Sequence, residues 1–392
     1  MSDAPLSRLI AELAETAALP SGAAMSAPPG IYHRADVLEL ERARIFRRGW
    51  LCAGLAAEVA EPGDYLTFSI DDQPVVVIRG EDGVIRSFSN VCRHRLMILL
   101  TGRGRITKAV CPYHAWTYDL QGRLRGAGHM ERTDCFDRAA SGLPEVRTEI
   151  WEGWVYVTLD PDAPSVDSQL AGLREVTGRY GMQDYIPVVH QDEVWQTNWK
   201  LLVENFAEGY HGPVAHKATV GAGVRMSDIA FPDTRAEGYS YQTFLKPETA
   251  QFGVAHPDNT RLDGDWRRTG VLPTVFPSHM YSLSPDYLWY LSLRPRGTGE
   301  VQVRIGIALA PEVHAGIADM DAFLAEFVDF FDRVNAEDRE IVEALYRGAQ
   351  APLATRGPLS WLERGVHDFA VYLARALSDT APAARLAAGG RG

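Results

Sequence analysis

The spacing of hydrophobic positions changes character along this chain of 392 residues. Near the amino terminus, apolar residues recur at helical intervals, first around 6–13 and again across 37–50. Farther along, short segments such as DYLTFSI, PVVVIRG and WVYVTLD alternate apolar and polar positions between Gly-containing turns, which is typical of β-strands. The pattern predicts a lead-in over 1–45 and an all-β module over 46–165.

The second half mixes strands with longer helices. HQDEVW alternates like a strand, and from Trp199 the apolar residues return to helical spacing through Tyr210. Three strand-like segments and two amphipathic helices follow, over 239–246, 279–293, 301–310, 320–348 and 359–377. These elements predict an α+β chain with a second domain over 166–385 and a disordered tail over 386–392.

Composition narrows the classes of protein that fit. The formal charge of −12 argues against nucleic acid or an anionic membrane as a partner. The start, MSDAPLSRLIAELAE, lacks the cationic region and apolar core of a signal peptide, and no apolar run approaches about 20 residues. No GxGxxG motif or P-loop suggests a nucleotide or flavin site. We therefore expect a soluble, cytoplasmic protein.

Four residues carry the clearest chemical signal. Cys92 and His94 form C-R-H, Cys111 and His114 form C-P-Y-H, and sixteen residues separate the two pairs. This alternation suits a Rieske [2Fe–2S] cluster, in which two His replace two Cys on one iron. Zinc is the competing interpretation, although zinc fingers usually pair C-x2–4-C with H-x3–5-H.

Such a cluster only relays electrons, so the remaining residues should contain an acceptor. Glu204, Glu208 and His211 recur at i, i+4 and i+7, which would place them on one face of the predicted helix. The pair 212–213 (Gly-Pro) would break that helix and let His216 turn back toward His211. Two His and one carboxylate form the facial triad of non-haem Fe(II) oxygenases.

The residues alone leave several candidates for the third ligand. Asp338 is the best candidate, because it lies inside the predicted carboxy-terminal helix in N-A-E-D-R-E-I-V-E. Glu337, Glu340 and Glu343 compete for the role. A solvated, salt-bridged helix face would explain the same acidic run, and the sequence pattern leaves these alternatives open.

The motifs together resemble the oxygenase α-subunits of Rieske non-haem iron oxygenases over nearly the whole chain. The matching segments are ERARIFRRGW, C-R-H-R…C-P-Y-H-A-W-T-Y, N-W-K-L-L-V-E-N-F-x-E-x-Y-H-x4-H and E-D-R-E-I-V-E-A-L-Y-R-G. The resemblance implies an all-β Rieske domain and a helix-grip (START-like) catalytic domain, in which a curved antiparallel sheet wraps a long helix and the lead-in packs on that domain. It also implies mononuclear Fe(II) bound by His211, His216 and Asp338.

The resemblance further implies a homotrimer in which the cluster of one subunit faces the iron of its neighbour. Glu208 matches the carboxylate that bridges a cluster His and an iron-bound His across that interface. His114 would be this cluster ligand, although the sequence does not separate it from His94. A separate NAD(P)H-dependent reductase, which carries the flavin, would supply electrons directly or through a ferredoxin, and O₂ and a small molecule would be the substrates.

Two positions depart from the family pattern. Glu208 stands where Asp is more common, and Leu96 follows Arg95 where the first cluster loop usually has Gly. Because all four ligands remain, we expect the cluster to form. The apolar run LMILL over 96–100 is expected to shield the cluster from water and so to tune its potential.

The substrate is the least defined feature. The motifs are most similar to those of glycine betaine, choline and stachydrine oxygenases, which implies N-demethylation or hydroxylation of a quaternary ammonium. Aromatic faces attract such cations, and the candidates are Phe206, Tyr210, Tyr281, Tyr287, Trp289 and Tyr290. Arg267, Arg268 or another Arg would meet a substrate carboxylate. The alternatives are hydroxylation or dihydroxylation of an aromatic or other carboxylic acid and, in another class, a Rieske electron carrier.

Overall fold

The computed structural model describes residues 5–223, 225–232 and 235–378. Contacts divide these residues into two compact units, one formed by 46–166 and the other by 5–45 together with 167–378. The predicted tail over 386–392 lies outside the described residues. In the described ranges, no helix combines the length and the apolar character needed to cross a membrane.

The lead-in contains three helices, α1 (Leu6–Ala17), α2 (Gly30–His33) and α3 (Ala35–Glu41). Leu9 and Leu13 are buried on one face of α1, as its apolar spacing predicts. The helix predicted over 37–50 is too long: α3 ends at Glu41, the next five residues form one π-helical turn, and a strand follows at Leu51. The apolar stripe therefore continues only as far as Phe46.

The unit 46–166 is built from antiparallel strands. One sheet of seven strands has the order β1-β10-β9-β4-β3-β2-β5, and a smaller sheet has the order β6-β7-β8. DYLTFSI and WVYVTLD correspond to β2 and β10. The strands are β1 (Leu51–Leu55), β2 (Asp64–Ile70), β3 (Gln73–Arg79), β4 (Ile85–Ser89), β5 (Arg103–Arg105), β6 (Ala109–Val110), β7 (Thr117–Tyr118), β8 (Leu124–Gly126), β9 (Glu145–Trp151) and β10 (Trp154–Thr158).

The second unit contains an antiparallel sheet of seven strands in the order β11-β17-β16-β15-β14-β13-β12. Apart from the position of β11, this order follows the chain, so most neighbours are joined by hairpins. The strands are β11 (Ile186–Trp195), β12 (Ile229–Ala230), β13 (Tyr239–Leu245), β14 (Thr269–Val275), β15 (His279–Leu283), β16 (Tyr287–Gly297) and β17 (Glu300–Leu309). A turn divides the predicted strand 279–293 into β15 and β16.

Helices complete this unit and position its chemistry. They are α4 (Val166–Thr177), α5 (Trp199–Phe206), α6 (Gly212–Ala215), α7 (Pro311–Gly316), α8 (Met320–Ala349) and α9 (Arg364–Leu377). Asn198 caps α5 by accepting a hydrogen bond from the Lys200 amide, and Asp319 caps α8 in the same way. The long helix α8 packs against α5, α6 and β11. The predicted α+β fold, with an antiparallel sheet and a long helix, is confirmed.

Candidate metal centres

Two loops of the same build hold the predicted cluster ligands in the unit 46–166. In the first loop, the Cys92 amide donates to the Met97 carbonyl at 2.8 Å, and the Cys92 carbonyl accepts from the Leu96 amide at 3.2 Å. In the second loop, the Cys111 amide donates to the Trp116 carbonyl at 2.8 Å, and the Cys111 carbonyl accepts from the Ala115 amide at 3.0 Å. Leu96 and Ala115, at equivalent places, both have left-handed φ values, 59° and 56°. This conformation explains why the family has Gly at the position of Leu96.

The four side chains converge at these loops. Cys92 and Cys111 are buried in one core cluster. The rings of His94 and His114 lie 4.6 Å apart, and His94 stacks on Trp116 at 4.9 Å. The Nδ1 atom of His94 is buried and accepts no hydrogen bond within the described part of the chain. Buried polar atoms normally have a partner, so two thiols, two adjacent imidazoles and an unpartnered ring nitrogen fit a [2Fe–2S] cluster.

Two neighbours of the cluster loops bear on its properties. The Tyr118 hydroxyl lies 3.4 Å from Cys92 Sγ and accepts from the Arg93 amide at 3.1 Å, and burial raises the pKa of Tyr118, so the hydroxyl stays protonated. Leu99 packs with the two cysteines, but Leu96 is 80 % exposed and Met97 39 %. The prediction that the whole LMILL run shields the cluster is therefore wrong for its first residues. Tyr118 was not predicted, although it ends the second cluster motif.

The second site lies between α6 and α8. The Nε2 atoms of His211 and His216 are 3.2 Å apart. Asp338 Oδ1 lies 3.5 Å from the first of these and 3.2 Å from the second. One ligand atom from each of the three residues lies within 4.8 Å of the other two, which is a spacing that a single metal ion could bridge. The structure thus brings together the three residues predicted as iron ligands.

The local structure that achieves this differs from the prediction. The helix ends at Phe206, so Glu208 and His211 lie beyond it and do not share a helix face with Glu204. Gly212 begins the short helix α6, with Pro213 in its first turn, where proline is well tolerated. The two histidines lie at opposite ends of α6, and this single turn brings them together.

A carboxylate lies behind each histidine. Glu208 Oε1 is 2.5 Å from His211 Nδ1, and Glu337 Oε2 is 2.8 Å from His216 Nδ1. Thr219 donates a further hydrogen bond to Glu337 at 2.6 Å. Such carboxylates hold the proton on the outer nitrogen of a ligating imidazole. The inner Nε2 lone pairs are then free to bind a metal ion.

The electrostatics of the site favour a bound cation. Burial alone would lower the pKa of His211, but hydrogen bonds to Asp338 and Glu208 and their charges raise it to about 10. Burial would raise the pKa of Asp338, and the two imidazoles lower it instead. Three carboxylates surround two histidines here, so positive charge is stabilised whether a proton or a metal ion supplies it.

The acidic residues next to Asp338 lie in different environments. Glu337 contacts His216 through Nδ1 and is placed behind the histidine pair. Glu340 is exposed, and Glu343 accepts from the Gln196 amide and from Arg339. The interpretation as a solvated helix face therefore describes the outer part of this helix but not Asp338 and Glu337.

A cavity of about 700 Å³ opens from the triad. This volume lies within the range of about 300–1,000 Å³ that encloses a drug-sized ligand. Of the predicted aromatic residues, Phe206, Tyr287 and Trp289 line the cavity. Tyr281 and Tyr290 are buried on the other face of the sheet, because successive strand residues alternate.

Other predicted binding residues do not reach the cavity, and some that line it were not predicted. Tyr210 is exposed, and Arg267 and Arg268 donate to backbone carbonyls and do not line the cavity. Phenylalanines of α8 form one wall, at Phe323, Phe327, Phe330 and Phe331. Their i, i+4, i+7 and i+8 spacing was visible in the sequence but is equally typical of an ordinary core face.

Comparison with known proteins identifies the family. Residues 178–379 match the model of the ring hydroxylating alpha subunit (catalytic domain), which covers more than half of the chain. The chain belongs to the ring-hydroxylating alpha-subunit family. Residues 49–137 of this alpha subunit match the Rieske [2Fe–2S] domain. The predicted family is thus confirmed, and with it a [2Fe–2S] cluster domain and a catalytic domain of the kind that binds mononuclear iron.

Several relatives have been named for their activity. The alpha subunit is 39 % identical over 208 residues to the glycine betaine monooxygenase oxygenase subunit of Chromohalobacter salexigens, which covers 53 % of this chain and 46 % of that protein. It is 33 % identical over 242 residues to the carnitine monooxygenase oxygenase subunit of Escherichia coli K12, with 60 % of each chain covered. The chain thus spans about half the length of the curated relatives it matches.

A solved structure shares the fold over most of the chain. It is that of a quaternary ammonium Rieske monooxygenase, studied for carnitine oxidation and inter-subunit electron transfer. The TM-score is 0.80 at 25 % identity, over 93 % of this alpha subunit and 98 % of that chain.

Proposed function

We propose that the chain is the oxygenase component of a multicomponent Rieske monooxygenase that hydroxylates a quaternary ammonium substrate. Hydroxylation at an N-methyl group would release formaldehyde and the demethylated amine. The observation that carries the proposal is the convergence of His211, His216 and Asp338 at an aromatic-lined cavity. Relatives named for glycine betaine and carnitine support the substrate class.

In this proposal Cys92, His94, Cys111 and His114 hold the cluster, and the triad holds Fe(II). When bound, the cluster would relay single electrons from a separate NAD(P)H-dependent reductase, and the iron would supply the chemistry that activates O₂. The unpartnered Nδ1 of His94 and the inward Nε2 atoms of the triad support this assignment.

Glu208 would also connect neighbouring subunits of a homotrimer. One of its oxygens already contacts His211 Nδ1, and the other accepts from the amides of Tyr210 and His211. Of the two cluster histidines, His114 is the more exposed, which supports it as the ligand that faces a partner. The solved relative discussed for inter-subunit electron transfer supports electron transfer between subunits.

The cavity walls would bind and orient the cation. The ring of Trp289 lies 5.8 Å from that of Phe206 and 5.8 Å from that of Phe331. Faces of this kind attract a quaternary ammonium by about 0.5–2 kcal/mol per contact.

The size of the cavity favours a second candidate. A volume of about 700 Å³ with many phenylalanines also suits hydroxylation or dihydroxylation of an aromatic or other carboxylic acid. A simple electron carrier would make no use of the triad or of this cavity.

The test is oxygen uptake by the purified protein with a surrogate reductase, across betaines, methylated amines and aromatic acids. Uptake that depends on a quaternary ammonium and releases one formaldehyde per O₂ is expected. Uptake without formaldehyde would favour hydroxylation of another carbon, and the product mass would distinguish one inserted oxygen from two. His211→Ala should keep the visible spectrum of the cluster and lose turnover, whereas Glu208→Gln should keep both metals and lose turnover.

A further inference from the structure

Positive charge is concentrated around the cluster loops. The chain as a whole carries a formal charge of −12, yet residues 91–128 contain seven Lys or Arg and a single acidic residue. Two of these cations pair with carboxylates outside the segment, Arg103 with Glu58 at 2.6 Å and Arg105 with Asp64 at 2.7 Å. The other five leave an excess of positive charge beside the cluster site.

Three of these five cations lie on one side of the small sheet β6-β7-β8. The register of this sheet places Ala109 opposite Tyr118 and Tyr118 opposite Leu124, and all three side chains are buried. Because successive strand residues point to opposite faces, the residues that alternate with them form the outer face. This basic face consists of Lys108, Val110, Thr117, Asp119, Arg123 and Arg125.

The basic face keeps a net positive charge after its internal ion pairs are counted. Asp119 Oδ2 lies 2.9 Å from Arg123 Nε and 3.7 Å from Arg125 Nε, so two exposed guanidinium groups share one carboxylate. Lys108 is exposed and has no ion-pair partner in the part of the chain that the structure describes. Val110, which is also exposed, adds an apolar contact to the same surface. Such a surface is complementary to an acidic one.

The opposite face of this sheet packs on the cysteine ligands. Tyr118 and Leu124 belong to the core that contains Cys92 and Cys111, and the Tyr118 hydroxyl lies 3.4 Å from Cys92 Sγ. Strand β6 leads directly into Cys111, whose Cα atom is about 3.8 Å from that of Val110. Between a protein seated on the basic face and the two cysteines there would be one sheet layer and the side chain of Tyr118.

The histidine ligands lie on the two loops rather than on this sheet. His114 is exposed, and so are Leu96 and Tyr113 on the same two loops. In the proposed homotrimer this histidine side faces the neighbouring subunit. Since the cysteines bind one iron of a Rieske cluster and the histidines bind the other, the basic face leaves the cysteine side accessible to a donor.

We propose that the basic face is the docking surface for an electron-donor protein with an acidic surface, such as a [2Fe–2S] ferredoxin or the equivalent domain of a reductase. One electron leaves the reduced donor, which is thereby oxidised, and the cluster is reduced by that electron. The inference rests on the proposed function, in which the cluster relays electrons. It adds the surface and the charge that the donor meets.

The test uses an acidic plant-type [2Fe–2S] ferredoxin as the probe, because its potential is low enough to reduce a Rieske cluster. The reduced ferredoxin is mixed anaerobically with the purified protein, and stopped-flow absorbance gives the rate constant of cluster reduction. Binding of the oxidised ferredoxin is measured separately by interferometry. Photoreduced riboflavin, which is neutral, is the control reductant.

Salt should separate the two reductants. Between about 0.01 M and about 1 M salt the Debye length falls from about 30 Å to about 3 Å. The rate constant with the ferredoxin should therefore fall at least about tenfold, whereas the rate constant with riboflavin should stay the same.

Matched variants locate the docking surface. Arg123→Glu combined with Arg125→Glu should slow reduction by the ferredoxin about 10- to 100-fold at low salt and weaken its binding by a similar factor. The rate with riboflavin and the visible spectrum of the cluster should not change, which shows that the variant folds. Replacing both arginines by lysine should retain most of the rate. Arg333→Glu combined with Arg347→Glu, at exposed positions of α8, makes the same change in net charge and should behave like the wild type.

Three results would overturn the inference. The first is a wild-type rate with the ferredoxin that does not depend on salt, or that the double reversal at 123 and 125 leaves unchanged. The second is a larger loss for Arg95→Glu, on the first cluster loop, because the donor would then dock on the histidine side. The third is a changed oligomeric state of the double reversal in size-exclusion chromatography, because the basic face would then join copies of this chain.

The two proposals fail separately. If the ferredoxin reduces the cluster through the basic face but no quaternary ammonium compound is oxidised, the proposed activity is wrong and the docking surface stands. If the wild type and the double reversal oxidise such a compound equally fast with the ferredoxin at low salt, the activity stands and the docking surface is wrong.

Discussion

Replacing Glu337 by alanine should weaken metal binding without abolishing it. Glu337 Oε2 accepts from His216 Nδ1 at 2.8 Å and from Thr219 Oγ1 at 2.6 Å, and it does not lie among the three converging ligand atoms. Its loss frees the His216 ring to rotate and makes Nε2 less basic. Partners of this kind typically contribute a factor of about 10–100 in metal affinity, which is about 1.4–2.7 kcal/mol.

The measurement is an anaerobic Fe(II) titration of protein from which the mononuclear metal has been removed, with the cluster absorbance as a check on folding. Glu337→Gln should lose less than Glu337→Ala, because an amide oxygen can still accept from Nδ1. Glu340→Gln, on the exposed side of the same helix, is the matched control and should bind like the wild type. Loss of binding as complete as in Asp338→Ala would make Glu337 a ligand, and wild-type affinity would refute its role behind His216.

Three further substitutions test the cluster loops and the core. Tyr118→Phe removes the hydroxyl 3.4 Å from Cys92 Sγ. Because one hydrogen bond contributes about 0.5–1.5 kcal/mol, the reduction potential of the cluster, measured by film voltammetry, should fall by about 20–60 mV. An unchanged potential would contradict this. Leu96→Gly relieves a left-handed φ of 59° at an exposed residue and should raise the free energy of unfolding by up to about 1 kcal/mol, measured by urea titration with the cluster absorbance as the probe. A lower free energy of unfolding would show that the side chain contributes more than the backbone strain costs. Lys200→Met leaves the buried Glu41 carboxylate, which lies 2.6 Å from Lys200 Nζ, without its cation and should lower the free energy of unfolding in urea by about 3–5 kcal/mol. Adding Glu41→Gln should restore part of this loss. An unchanged free energy of unfolding would mean that the pair is not buried in solution.

Alternating and short apolar segments identified strands with buried residues and missed β5, whose residues are all exposed. DYLTFSI became β2 because every second residue packs inward. Its neighbour β5 is exposed at all three positions and exists through backbone hydrogen bonds to β2, which leave no hydrophobic pattern in the sequence. The helix predicted over 37–50 was too long for a related reason: the strand β1, whose five residues are all buried, follows directly and continues the apolar run.

The residues of the triad were predictable, but their geometry was not. The spacing of His211 and His216 indicated a pair, yet the helix assumed between Glu204 and His211 ends at Phe206. Whether Asp338 or Glu337 is the metal ligand depends on which carboxylate lies beside Nε2 of His216 and which lies beside Nδ1. Adjacent residues on a helix differ by about 100° in direction, and only the position of α6 determines which of them meets the metal side.

The continuity of α8 has a consequence for how this family could change its substrate. Asp338 and the phenylalanines at 323, 327, 330 and 331 are carried by one unbroken helix, so their separations along its axis follow from the number of residues between them. Replacing Phe331 by a small residue would open space about two turns from the triad, and replacing Phe327 would open it about three turns away. The reach of the cavity along α8 would then change in steps of about 5 Å while His211, His216 and Asp338 stay where they are.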